Sequence, residues 1–224
     1  RADYDRYEFH RVVQALQTFC SEDLGGFYLD ILKDRLYTTA PKSAARRSAQ
    51  SALWHITQSF VRLLAPITSF TAEEVWQVLG GNADDSVMFQ LWHDLPKPEG
   101  EGEMLAKWAL IRGVRSEVTK VLEDLRIEGK IGATLQAAVT IAANGEKHAA
   151  LASLGDDMKY VFIVSAASVA KSADEKVTAA PLAHAKCERC WHVREDVGAN
   201  AEHPDLCGRC VSNLHGEGDP RACA

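Results

Sequence analysis

The sequence predicts a mainly α protein, with an antiparallel helical bundle followed by a small α+β domain and a C-terminal segment organised by four cysteines. Three observations carry this prediction. Apolar residues recur at three- and four-residue steps through the first eighty positions and again over 104–125, as amphipathic helices require. Alternating apolar and polar residues over 134–141 mark a half-buried strand. Two C-x2-C pairs, Cys187/Cys190 and Cys207/Cys210, stand sixteen residues apart.

Taken in order, residues 4–20 read as a helix with Phe9, Val12, Val13, Leu16 and Phe19 on one side. Ser21 caps the next, whose stripe is Leu24, Phe27, Tyr28, Ile31, Leu32 and Leu36, although Gly25 and Gly26 weaken its start unless a neighbouring helix packs closely there. Pro41 ends that segment. Ser43 caps a third helix of about twenty residues that stops at Pro66. Thr71-Ala-Glu-Glu74 has the form of a capping box, opening a short helix that ends at Gly80-Gly81. Four helices with short connections imply an antiparallel bundle over 1–98.

Lys97–Glu103 is polar and rich in Gly and Pro, as a linker is. A long helix then ends near Gly129, a strand covers 135–141, a short helix fits 147–154 and Tyr160–Ser165 reads as a second strand. These make an α+β domain over 99–182. Residues 172–185 read as a loop into the last segment, 183–224.

The spacing of the cysteine pairs suits four thiolates converging on one structural zinc ion, each pair on a tight turn. Two disulfides or redox-active C-x2-C motifs are the other readings of such pairs. Gly208 suits a turn needing positive φ, and Arg189 and Arg209, each preceding the second cysteine of its pair, place positive charge beside a net-negative site. His184, His192, His203 and His215 read as surface side chains or supports for the ligands. Cys20 reads as a buried thiol and Cys223 as an incidental one in the tail.

Net charge is −6, about −2 in each of the three segments, which argues against strong non-specific nucleic-acid binding. Yet Arg35, Lys42, Arg46, Arg47 and Arg62 lie in a stretch with no acid up to Ala72, either a solvated helix face or a phosphate-facing surface. Trp76, Trp92 and Trp108 suit packing. Trp191, beside Cys190 in a segment too small for a large core, is either pinned over the knuckle or exposed as a platform for an unstacked base. There is no Gly-rich phosphate loop, H-E-x-x-H or G-x-S-x-G motif, so no catalytic residue is assigned. No apolar run reaches membrane-spanning length, no signal peptide opens the chain, and cysteine usage suits a reducing cytoplasm. The absence of an initiator methionine before Arg1 suggests a piece of a longer protein.

Phe27-Tyr-Leu-Asp-Ile-Leu-Lys-Asp-Arg-Leu-Tyr37 and Leu64-Ala-Pro-Ile-Thr-Ser-Phe-Thr-Ala-Glu-Glu-Val-Trp76 resemble the helical anticodon-binding domain of class I aminoacyl-tRNA synthetases for branched aliphatic amino acids. Cys187-Glu-Arg-Cys-Trp-His192 and Leu206-Cys-Gly-Arg-Cys-Val-Ser-Asn213 resemble the C-terminal zinc domain of the bacterial isoleucyl branch, and Gly132–Val139 resembles its junction domain. The resemblance implies recognition of the anticodon stem-loop of isoleucine-accepting tRNA, with Lys42, Arg46, Arg47, Arg62 and Trp191 as candidate RNA contacts. The adenylate-forming domain that uses ATP and the editing domain are outside this sequence, so the chain alone is expected to be inactive. A free-standing zinc-ribbon interaction module and a thiol oxidoreductase are the alternatives.

Overall fold

A computed structural model describes residues 1–80, 82 and 84–221; Gly81 and Cys223 lie outside the described residues. The chain is mainly α. Helices α1 (Ala2–Asp5), α2 (Phe9–Thr18), α3 (Leu29–Thr38), α4 (Ala44–Leu64) and α5 (Ser69–Val78) form the helical bundle, with α2 and α3 joined end to end in one rod against which α4 runs back. The expected first helix is broken at Tyr7, which has φ 59°, and Arg6 closes this turn by pairing with Asp3 and Glu8.

Between α2 and α3 the backbone does not stop and restart. Phe19–Tyr28 continues as a π-helical segment. Ser21 is therefore not a cap, and its hydroxyl donates instead to the carbonyls of Gln17 and Thr18. The wide turn explains the paired glycines. A Cβ on Gly25 would lie 2.8 Å from the Cys20 carbonyl oxygen, and one on Gly26 would lie 2.8 Å from that of Ser21. The close approach is thus by the chain's own backbone and not by a neighbouring helix. Gly25→Ala is expected to cost about 1–3 kcal/mol by overpacking. Gly113→Ala on the helix Glu101–Ile127 (α6), where nothing lies within 4 Å, should stabilise by about 0.5–1 kcal/mol. Thermal midpoints moving the same way in both variants would remove this account of the π turn.

Ser43 caps α4 as expected, accepting from the Arg46 N–H. The capping box at Thr71 does not form, because α5 begins two residues earlier at Ser69 and places Thr71 inside it. Glu73, not Glu74, makes the polar contacts, accepting from the Ser86 hydroxyl, the Val87 N–H and Gln77. Trp76 is buried, with Val61, Ala65, Ala72 and Val87 around it.

The helix α6 takes in Glu101–Glu103 from the expected linker; the acids suit its first turn. Ile111, Val114, Val118, Leu122 and Leu125 on α6 face a sheet made of β1 (Ala137–Ala143), β2 (Ala166–Lys171) and β3 (Lys176–Pro181), in the order β2-β1-β3. β1 runs parallel to β2 and antiparallel to β3, with Val139 opposite Ala167 and Ala179. Helices α7 (Gly145–Ala152) and α8 (Met158–Phe162) complete this core.

Two expectations fail here. Tyr160–Ser165 is not a strand, because α8 ends at Phe162. Tyr160, Val161, Phe162 and Val164 are all buried, and a short run buried on every side carries no period. Residues 172–185 are not a plain loop, because 176–181 form the edge strand β3, whose alanines hide its alternation. β1 also begins at Ala137, after a 3₁₀ turn over Thr134–Gln136, and not at Leu135. No helix among the described residues is long and apolar enough to cross a membrane.

Candidate metal centre and nucleic-acid interface

The last segment is a two-stranded ribbon, β4 (Ala185–Lys186) with β5 (Val193–Arg194), and the helix α9 (Gly208–His215). The first pair sits on the turn between β4 and β5, closed by Cys187 N–H to His192 O (2.9 Å) and Trp191 N–H to Cys187 O (2.9 Å). The second sits where α9 begins. All four cysteines are buried and free, and their sulfurs lie within 4.8 Å of one another.

The donor set fits zinc. Four thiolates at a Zn–S distance of about 2.3 Å in a tetrahedron stand roughly 3.8 Å apart, and the Sγ atoms of Cys190 and Cys207 are 3.7 Å apart. The Cys207 N–H donates across to the sulfur of Cys187 in the other pair, at 3.4 Å. A dication in the midst of the four sulfurs would let all of them ionise.

Gly208 does not take the positive φ expected of it. It opens α9, its N–H donating to Asp196 Oδ2 at 3.0 Å, where a Cβ would meet that same oxygen at 3.0 Å. The left-handed residue of the knuckles is Trp191, at φ 65°. Its side chain is 60% exposed, with Lys186 Nζ 5.5 Å from its ring centroid. Among the four histidines, His192 is buried, its Nδ1 3.1 Å from Cys190 O, and His203 stacks on His215. Cys20 is half-buried on the surface of a groove and not a core thiol.

The basic residues divide. Lys42 and Arg47 are exposed and Arg46 half-buried at the start of α4. Arg62 is committed within the bundle: its guanidinium donates to Leu91 O and to Gln58 O and Oε1, and lies 4.7 Å over the Trp76 ring.

Sequence reasoning missed the role of the two knuckle arginines. Arg189 Nη1 donates to Thr38 O (2.7 Å) and Nη2 to Tyr37 O (3.3 Å), at the negative end of the α3 dipole. Nη1 also lies 3.7 Å from the Cys210 sulfur, so the expected charge compensation is present but secondary. Arg209 grips Asp34 of α3 with both Nη atoms (2.8 and 2.7 Å) and donates to the Tyr160 hydroxyl at 3.0 Å. Arg221 adds a third bond to Asp34 at 2.6 Å. Burial alone would raise the Asp34 pKa, but the two guanidiniums overcome it and hold the carboxyl well below its usual range. Burial pushes Tyr160 up to about 12, so its hydroxyl stays protonated. The C-x-R-C repetition was the one visible signal; partners more than 150 positions away were not.

A helical bundle with a four-thiol knuckle clamped to the end of one helix is a metal-stabilised helical module. Residues 1–141 match the model of the anticodon-binding domain of tRNA ligase, and the chain belongs to that family. Residues 186–213 match the zinc finger found in FPG and IleRS, and the cofactor of this segment is a structural zinc. The chain is 77% identical over its whole length to an isoleucine–tRNA ligase of Dechloromonas aromatica, covering 24% of that protein. It is 58% identical to that of Aromatoleum aromaticum over 99% of the chain and 57% identical to that of an Azoarcus species over 100%, again 24% of each relative. It thus spans about a quarter of these relatives' length. The family match supports the ligase reading over a free-standing zinc-ribbon module.

Proposed function

We propose that this chain is the anticodon-binding portion of an isoleucine–tRNA ligase, an enzyme that attaches isoleucine to its tRNA with ATP in the cytoplasm. The observation that carries the reading is the match of 1–141 to the anticodon-binding family, joined to relatives named for isoleucine that align along the entire chain. Three parts divide the work: a helical bundle over 1–98, a junction over 99–182 and a zinc domain over 183–224. Cys187, Cys190, Cys207 and Cys210 would hold the zinc, which folds the last part and leaves no open position for chemistry. Lys42, just before α4, and Arg46 and Arg47 in its first turn would align phosphates, Arg62 would brace that helix, and Trp191 would stack on an unpaired base.

Binding of a tRNA panel differing only in the anticodon tests the reading. A preference for isoleucine anticodons is expected; equal affinity across the panel would sink it. Replacing Arg46 and Arg47 by alanine should weaken cognate and non-cognate RNA alike. It should also flatten the log–log salt dependence by roughly 0.7–0.9 per lost phosphate contact. An unchanged slope would take these arginines off the RNA surface.

A further inference from the structure

The anion at the centre of the knuckle dock belongs to neither the zinc site nor the RNA contacts named above. Asp34 is mostly buried, yet it accepts three charge-assisted hydrogen bonds, two from Arg209 and one from Arg221. The guanidiniums of Arg209 and Arg221 lie over the Tyr160 ring, at 5.1 and 3.5 Å from its centroid, and Asp219 and Asp157 complete the charge balance. One turn further along α3, Arg189 of the other knuckle holds the Tyr37 and Thr38 carbonyls. Both knuckles therefore grip a single helix, each through the arginine before its second cysteine.

The consequence is geometric. Between α3 and the first knuckle lies a cavity of about 460 Å³, and Tyr37, Leu135, Ile163, Arg189 and Trp191 are among the residues that line it. Tyr37 is 72% exposed, so two exposed aromatic side chains, one from the bundle and one from the zinc segment, stand at the same opening. Nothing covalent joins these walls locally, since Tyr37 and Trp191 are separated by more than 150 positions. We propose that Asp34 is a positioning residue: by anchoring Arg209 and Arg221 it fixes the knuckles on α3, so that Trp191 and Tyr37 face one unpaired nucleobase together. Its effect on RNA rests on the anticodon-binding reading; its effect on the position of Trp191 does not.

The test uses the full chain with Asp34→Asn, which keeps the shape and removes the charge. Zinc content, acrylamide quenching of Trp191 (by difference from a matched Trp191→Phe protein), amide exchange at 37–39 and tRNA affinity are measured on one preparation. Expected are one zinc per chain, altered quenching, faster exchange at 37–39, and tRNA binding weakened on the order of five- to tenfold. In a Trp191→Ala background the same change should have little further effect, because Asp34 acts through Trp191. Unchanged quenching and exchange, or equal weakening in both backgrounds, overturns the proposal. If Asp34→Asn fails to fold, Arg221→Gln removes one of the two cations that Asp34 anchors while Arg209 still pairs with it, and unchanged quenching and exchange there also overturn the proposal. If wild-type protein ignores the tRNA panel, the anticodon reading fails while the quenching and exchange arms still decide the role of Asp34.

Discussion

Removing zinc should unfold residues 186–213 and release the C-terminal end of α3 in the same step. The four buried sulfurs with Val197 and Leu206 form a cluster of their own, too small to fold by hydrophobic burial alone. Structural zinc contributes an apparent 10–16 kcal/mol at neutral pH in small zinc peptides, more than such a segment holds by any other means. Freshly purified reduced protein should carry one zinc per chain by elemental analysis. Chelation, or Cys187→Ser, should abolish amide protection over 186–213 and raise exchange at 37–39, where Arg189 has let go. The core shared by α6, β1, α7 and α8 has no sulfur ligand in it and should persist. A metal-free preparation contradicts the site; a single transition melting the entire chain on chelation contradicts its modularity.

Trp191→Ala should weaken cognate tRNA binding by about 1–3 kcal/mol, the cost of losing one base stack, with little change in the salt slope. The indole is 60% exposed on a turn whose fold is set by hydrogen bonds of the backbone, so its truncation should leave zinc in place. A control separates stacking from folding. Trp191 has φ 65°, which glycine adopts without strain, so Trp191→Gly should hold zinc at least as well and bind RNA as poorly as alanine. Full zinc with unchanged affinity would remove Trp191 from the RNA site. Loss of zinc in both variants would show the ring to be pinning the knuckle instead.

The sequence by itself determined what local rules govern. The C-x2-C spacing specified the four thiols, the Ser43 cap and the stripe to Leu64 specified α4, and the 104–125 stripe specified α6. Motif residues quoted from 27–37, 64–76 and 187–213 were enough for the family. Tertiary structure decided the rest wherever the deciding partner was remote. The run Tyr160–Ser165 is equally apolar as helix or strand, and only burial against α6 and β1 made its start a helix. Residues 176–181 became a strand because β1 offered them an edge. Ser21 and the two glycines looked like a helix boundary, because a π-helical segment of only 10 residues leaves no period of its own. Above all, Asp34 on a helix reads as a solvated acid until Arg209 and Arg221 arrive from the other end of the chain. A charge's worth depends on its distance to a counter-charge and on the water excluded around both, and sequence spacing encodes neither.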